Sequence, residues 1–163
     1  MKRFHYMAIS AVVIILDIWT KWLVLARIDL HEAIPVIPNF FQLVHVRNTG
    51  AAFGIGANAS SSLVPLLLNA GAIAVFCVVV VYALRSAVTD RLLQIGLHLI
   101  LGGAIGNLLD RFRFGYVVDF LDVYIGRHHW PAFNVADSAI CIGIALLFLD
   151  MRKKPEAEGA VAA

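Results

Sequence analysis

Two acids stand where hydrocarbon-facing segments do not ordinarily carry them. The stretch Phe133-Asn134-Val135-Ala136-Asp137-Ser138-Ala139-Ile140 opens the last long apolar run and holds Asp137. Eighteen positions earlier, Val117-Val118-Asp119-Phe120-Leu121 sets Asp119 inside another apolar stretch. A charged side chain in lipid costs about 2.5–3.5 kcal/mol on insertion scales, so an ionisable residue there is a functional candidate. Two carboxyl groups held a few ångströms apart cannot both ionise cheaply, and the pair keeps one proton. The ionised partner can then take a proton from water. The protonated one can donate to a carbonyl oxygen under attack, and later to a leaving amine. Such chemistry needs no metal, cofactor or covalent intermediate. No HExxH occurs, and no serine or cysteine has a histidine base at readable spacing. His128-His129 is a weak metal-ligand signal. For Asp137 alone there is a structural alternative, a carboxylate favoured by the dipole of a helix N-terminus.

These acids need a scaffold, and composition says which kind. The 163 residues are 61% hydrophobic and 15% charged, with mean hydropathy +0.84, against about 45–50% and about 25% in soluble domains. The chain reads as integral to a membrane, with one embedded domain over 1–154 and a polar, small-residue tail over 155–163 expected to be disordered. A net charge of +2 with dispersed basic residues argues against nucleic acid. Cys77 and Cys141 lie in apolar runs without metal-ligand spacing and read as small hydrophobes. Met1-Lys2-Arg3 and the apolar run behind it mimic a signal peptide. That run is long, carries Asp17 and Lys21 and lacks a clear small-residue cleavage site, so it reads as an uncleaved first span.

Four segments reach the roughly 20 residues that a bilayer requires: Met7 to Ala26, Leu63 to Leu84, Leu92 to Asp110 and Ala132 to Asp150. The expected fold is an integral membrane, mainly α, four-transmembrane-helix bundle. An even number of spans puts both termini on one side. Lys2, Arg3, Arg85, Arg91, Arg152, Lys153 and Lys154 favour the cytoplasm, against Arg27, Arg47, Arg111, Arg113 and Arg127 outside. Between the spans, 33–47 and 116–124 are β-branched and aromatic, which predicts short strands in a small extracytoplasmic sheet with an interfacial segment. The glycines at 50, 54 and 56 permit a mobile cover over a ligand.

Polar residues recur within the spans. Asp17 and Lys21, four apart, can pair on one helix face, either to fix packing or to support a site. Gly102 and Gly106 form a small-xxx-small pair. Gly103, Asn107, Asp110 and Arg111 fall on one stripe, open to either role, and Asn107 needs a hydrogen-bonding partner. Asn134, Asp137, Ser138 and Cys141 share a face of the last helix, with Pro131 near its start. His98 reads as a satisfied interior histidine, and Trp19 and Trp22 as interfacial anchors. A transporter would carry its acid near the bilayer midplane, whereas these two acids lie toward one surface.

Five boxes in order resemble the bacterial lipoprotein signal peptidases (signal peptidase II). They are Asp17-Ile18-Trp19-Thr20-Lys21, Val46 to Gly54, Gly102 to Arg111, Gly115 to Phe120 and Phe133 to Ser138. The resemblance implies a membrane aspartic endopeptidase with Asp119 and Asp137 as catalytic pair. It implies supporting or substrate-contacting roles for Asp17, Lys21, Asn48, Gly103, Asn107, Arg111 and Asn134. The implied reaction removes the signal peptide by cutting before the diacylglyceryl-modified cysteine of a prolipoprotein, without metal or cofactor. Implied partners are such prolipoproteins, membrane lipid and the inhibitor globomycin, with the chain a monomer. The implied place is the bacterial inner membrane, with the active site toward its outer face and the sheet as a cradle. Ile18 departs from the Gln or Arg that the first box often carries, at a position facing away from Asp17.

Overall fold

The computed structural model describes residues 3–50 and 63–161. Within them the order is α1 (Arg3–Arg27), β1 (Ala33–Ile37), β2 (Phe41–Asn48), α2 (Leu63–Arg85), α3 (Arg91–Phe114), β3 (Val117–Ile125), β4 (His128–His129) and α4 (Val135–Val161). The glycine-rich cover expected over 51–56 lies outside the described residues.

The third helix is the axis of the bundle, packed against α1, α2 and α4. Its glycines make that possible on separate faces. A methyl group at Gly102 would stand 2.8 Å from Cβ of Val13 in α1, and one at Gly103 would meet Ala136 O and Ile140 of α4. One at Gly106 would touch the Asp17 carboxylate. Backbones at this separation gain van der Waals contact that larger residues forbid. By contrast, α1 turns Phe4, Met7, Ile15, Trp19 and Trp22 outward, and α2 turns Val75, Val78 and Leu84 outward. Such surfaces suit hydrocarbon rather than water. By length and composition α1 and α3 can cross a bilayer, and the apolar run of α2 counted over described residues is Asn69–Arg85.

Several boundaries differ from the sequence expectation. The third helix runs past Asp110 to Phe114, where Gly115 takes φ 77° and returns its N–H to Arg111 O at 3.0 Å, a left-handed cap that glycine adopts readily. The fourth begins at Val135 rather than near Pro131, because Phe133 is taken by the sheet. It continues to Val161, beyond Lys154 where composition sets the tail; Glu156, Ala157, Glu158 and Ala160 are acceptable helix formers.

The strands form one antiparallel sheet in the order β1-β2-β3-β4. Composition foresaw the first three, and the two-residue β4 was not expected. Alternate residues of β3 face opposite ways. Val118 and Phe120 pack on Val24 and Ile28 at the end of α1, leaving Val117 and Asp119 on the other side. The segment before α4 then joins β3: Leu121 N–H donates to Phe133 O at 2.8 Å and Phe133 N–H to Leu121 O at 3.0 Å. This pairing delivers Asn134 beside Asp119.

Candidate active site

Asn134 touches both acids. Its Nδ2 donates to Asp119 Oδ1 at 2.7 Å, and its backbone N–H donates to Asp137 Oδ2 at 3.2 Å. Its Oδ1 accepts from Asp137 N–H at 2.9 Å. Asn134 is thus the N-cap of α4, and Asp137, three residues on, reaches back to it, a capping box built with an acid. The helix-end reading of Asp137 and the site reading are therefore compatible: the dipole that favours a carboxylate there also fixes where it points.

Each acid has a second amide. Asn48 Nδ2 donates to Asp119 Oδ2 at 3.0 Å, reaching it diagonally across the β2–β3 register. Asn107 Nδ2 donates to Asp137 Oδ1 at 2.7 Å, and Asn107 Oδ1 accepts from Asn134 Nδ2 at 3.2 Å. Behind Asn107 stands Lys21, whose Nζ lies 3.0 Å from Asn107 Oδ1, 2.8 Å from Asp17 Oδ2 and 2.9 Å from Asp110 Oδ2. Both acids carry the restraint onward. Asp17 Oδ1 accepts from Ala136 N–H in α4 at 2.9 Å, and Asp110 Oδ2 accepts from Val118 N–H in β3 at 3.0 Å. One ammonium, 3% exposed, therefore ties α1 and α3 to the elements that carry Asp137 and Asp119.

The Asp119 carboxyl is pushed up to about 7, first by burial and then by the neighbouring charge of Asp137; the bonds from Asn48 and Asn134 and the charge of Lys21 oppose this. Arg111 is near enough to feel both acids, and its Nη2 donates to Gly50 O at 3.1 Å. Beside the pair a cavity of about 400 Å³ is lined by Asn48, Asn107, Arg111 and Asp137 with apolar residues of α2, α3 and α4. A second cavity, on the side of Trp130 and Phe133, also includes Asn48 and Asp137. Asp137 is open to both.

The structure brings Asp17, Lys21, Asn48, Asn107, Arg111, Asp119, Asn134 and Asp137 together. Gly103 sits behind them, where it makes room for α4. Asp110 belongs to the network as well; its place on the stripe of α3 gave its face, and only the fold gave its partners. The interior histidine behaves as expected, with His98 Nδ1 2.8 Å from Gln94 O. His129, in contrast, pairs with Asp122, Nδ1 to Oδ2 at 2.9 Å.

Residues 9–153 match the profile of the family described as Signal peptidase (SPase) II. The chain belongs to the signal peptidase II family. It is 45% identical over 149 residues to the lipoprotein signal peptidase of Syntrophus aciditrophicus (strain SB), covering 91% of this chain and 92% of that one. To the lipoprotein signal peptidase of Syntrophotalea carbinolica (strain DSM 2380 / NBRC 103641 / GraBd1) it is 52% identical over 142 residues, covering 86% of each. Among solved structures, a bacterial membrane enzyme determined at 2.3 Å by the in meso method superposes with TM-score 0.81 at 31% identity, over 93% of this chain and 89% of that one. As a signal peptidase II, the chain is a peptidase. Its five family boxes converge in space: the described parts of all five lie on α1, the end of β2, α3, the approach to and start of β3, and the start of α4.

Proposed function

We propose that this signal peptidase II is an aspartic endopeptidase that removes the signal peptide of prolipoproteins, cutting on the N-terminal side of the diacylglyceryl-modified cysteine with Asp119, Asp137 and water. The observation that carries the reading is Asn134, one residue hydrogen-bonded to both carboxylates beside two cavities.

The chemistry follows from the pair. Between them the acids hold one proton. The ionised member takes a proton from a water molecule as its oxygen attacks the scissile carbonyl, and the protonated member donates to the carbonyl oxygen. The tetrahedral carbon then expels the cysteine nitrogen, which leaves with a proton from the pair. The products are a signal peptide with a free carboxylate and a protein with a free amino group on its lipidated cysteine. Protons balance, and neither metal nor cofactor enters. Asn48, Asn107 and Asn134 hold the acids in register, Arg111 anchors the chain at Gly50, and Asp17, Lys21 and Gly103 hold the helices that present them.

The acids lie at the β-sheet end of the bundle. Four spans, with both termini in the cytoplasm, put that end at the outer face of the inner membrane, where a diacylated cysteine holds its peptide bond. The sheet serves as a cradle for the substrate, and the chain works as a monomer that globomycin inhibits at this site. The test is cleavage of a diacylated precursor by the purified protein. Asp119→Asn and Asp137→Asn are each expected to stop turnover while preserving the thermal transition. Wild-type turnover in either variant ends the proposal.

A further inference from the structure

The two ends of an asparagine amide have the same shape, so its orientation is set by its neighbours. Asn134 is fixed by the backbone: Asp137 N–H demands its oxygen, and Val118 O, 3.3 Å from Nδ2, demands its nitrogen. The Asn107 amide is held by other side chains, namely Lys21, Asn134 and Asp137. Lys21 is a donor three times over and accepts nothing. Turning the Asn107 amide over would set NH2 against NH3⁺ at a 3.0 Å contact and oxygen against the Asp137 carboxylate at a 2.7 Å contact.

The second of these penalties lapses whenever Asp137 carries the proton, because a protonated carboxyl can donate to an oxygen. The first does not depend on the state of the pair. The 3.2 Å contact from Asn134 Nδ2 to Asn107 Oδ1 acts in the same sense, but from a neutral donor shared with Asp119 Oδ1 and Val118 O. We propose that Lys21 is a positioning residue which keeps the Asn107 NH2 aimed at Asp137 throughout the reaction cycle, acting on turnover through Asn107 as well as on stability through its ion pairs with Asp17 and Asp110. This inference rests on Asp119 and Asp137 being the reacting pair.

A purely architectural lysine and a positioning one predict different double-mutant behaviour. Lys21→Met, Asn107→Ala and the double variant are assayed with the wild type in detergent on a fluorescent diacylated precursor peptide. If Lys21 acts through Asn107, Lys21→Met lowers kcat on the order of 10- to 100-fold and leaves KM within about twofold. In the Asn107→Ala background the same change then has little further effect. Fold-losses that multiply, or a rise in KM alone, overturn the proposal.

Lys21→Met also leaves two buried acids unpaired and can fail to fold. If it shows no thermal transition, the cycle is run with Lys21→Arg, whose planar fork keeps the charge but not the single-point contact at Asn107 Oδ1. It must slow the wild type and leave Asn107→Ala unchanged. A groove lined by Trp19, Trp22, Asp110 and Arg113 reaches Lys21 from outside, so Lys21→Ala adds a direct readout: propylammonium restores turnover, and an equal concentration of tetramethylammonium, which has no N–H, does not. Equal effects of the two cations count against the proposal. Asp119→Asn and Asp137→Asn run in parallel separate the two ideas: if either keeps wild-type turnover the dyad reading fails, and if both are inactive while the cycle multiplies, only the role of Lys21 fails.

Discussion

Asn134 and Asp137 cap the fourth helix for one another, side chain to backbone in each direction, at 2.9 and 3.2 Å. The same asparagine holds Asp119 at 2.7 Å. Helix initiation and alignment of the two acids are thereby one event, and a substitution can separate them.

Asn134→Ser keeps a good N-cap but loses the amide that reaches Asp119 and Asn107. Its thermal midpoint should stay close to wild type, whereas turnover of diacylated precursor should fall by roughly 10-fold or more, the size of a lost hydrogen bond to a charged group. Asn134→Ala should lose the activity and also about 1 kcal/mol of stability. Equal stability of the serine and alanine variants would contradict the capping argument.

The raised Asp119 carboxyl makes stability depend on pH. Its value moves from the ordinary 3.8 to about 7 on folding, so between those limits the native state binds more protons than the unfolded one. Stability contributed by this group is full below the lower limit and is lost as pH rises through the upper one. Asp137, Lys21 and Arg111 face it from α4, α1 and α3. Thermal unfolding at about pH 5 and about pH 8 should show a larger drop for wild type than for Asp119→Asn. Turnover should also decline above about 7, with an apparent pKa that belongs to the pair rather than to one residue.

Much of this site could be read from helical spacing. The i, i+4 interval of Asp17 and Lys21 foretold an ion pair now seen at 2.8 Å, and the 3.6-residue repeat put Gly103, Asn107, Asp110 and Arg111 on one stripe. Those intervals act within one helix and are fixed by its geometry. Long-range pairing is not encoded that way. Nothing local in Phe133 says that it joins β3, so the predicted helix start drifted back toward Pro131, where a proline is welcome. The i, i+3 spacing of Asn134 and Asp137 put them on one helix face, but that Asn134 caps α4 and also reaches Asp119 depends on the Leu121–Phe133 bridge. Likewise Asp110 showed its face and not its partners.

Gly103 and Gly71 provide a test of helix packing. A methyl group at Gly103 would run into Ala136 O and Ile140, whereas one at Gly71 meets nothing within 4 Å. Gly103→Ala should therefore destabilise by about 1–3 kcal/mol, as overpacking does, and lower turnover by shifting the start of α4. Gly71→Ala should be neutral or stabilise by up to about 1 kcal/mol through helix propensity. Thermal midpoints in one detergent decide the matter; equal midpoints would mean that α3 and α4 yield without cost.

Asp122 is the control acid. Like Asp119 it lies buried in β3, three residues further on, and so emerges from the opposite face of the strand. It is satisfied there by Gln42 Nε2 at 2.6 Å, its direct cross-strand partner, and by His129 Nδ1 at 2.9 Å. His129 in turn stacks on Tyr124 with ring centroids 4.7 Å apart. Burial alone would nominate Asp122 beside Asp119, and strand parity removes it. Asp122→Asn should keep turnover within about twofold of wild type while lowering stability by about 1 kcal/mol through weaker bonds to Gln42 and His129. A loss of turnover matching that of Asp119→Asn, with the fold intact, would mean that the reacting acids had been misassigned along β3.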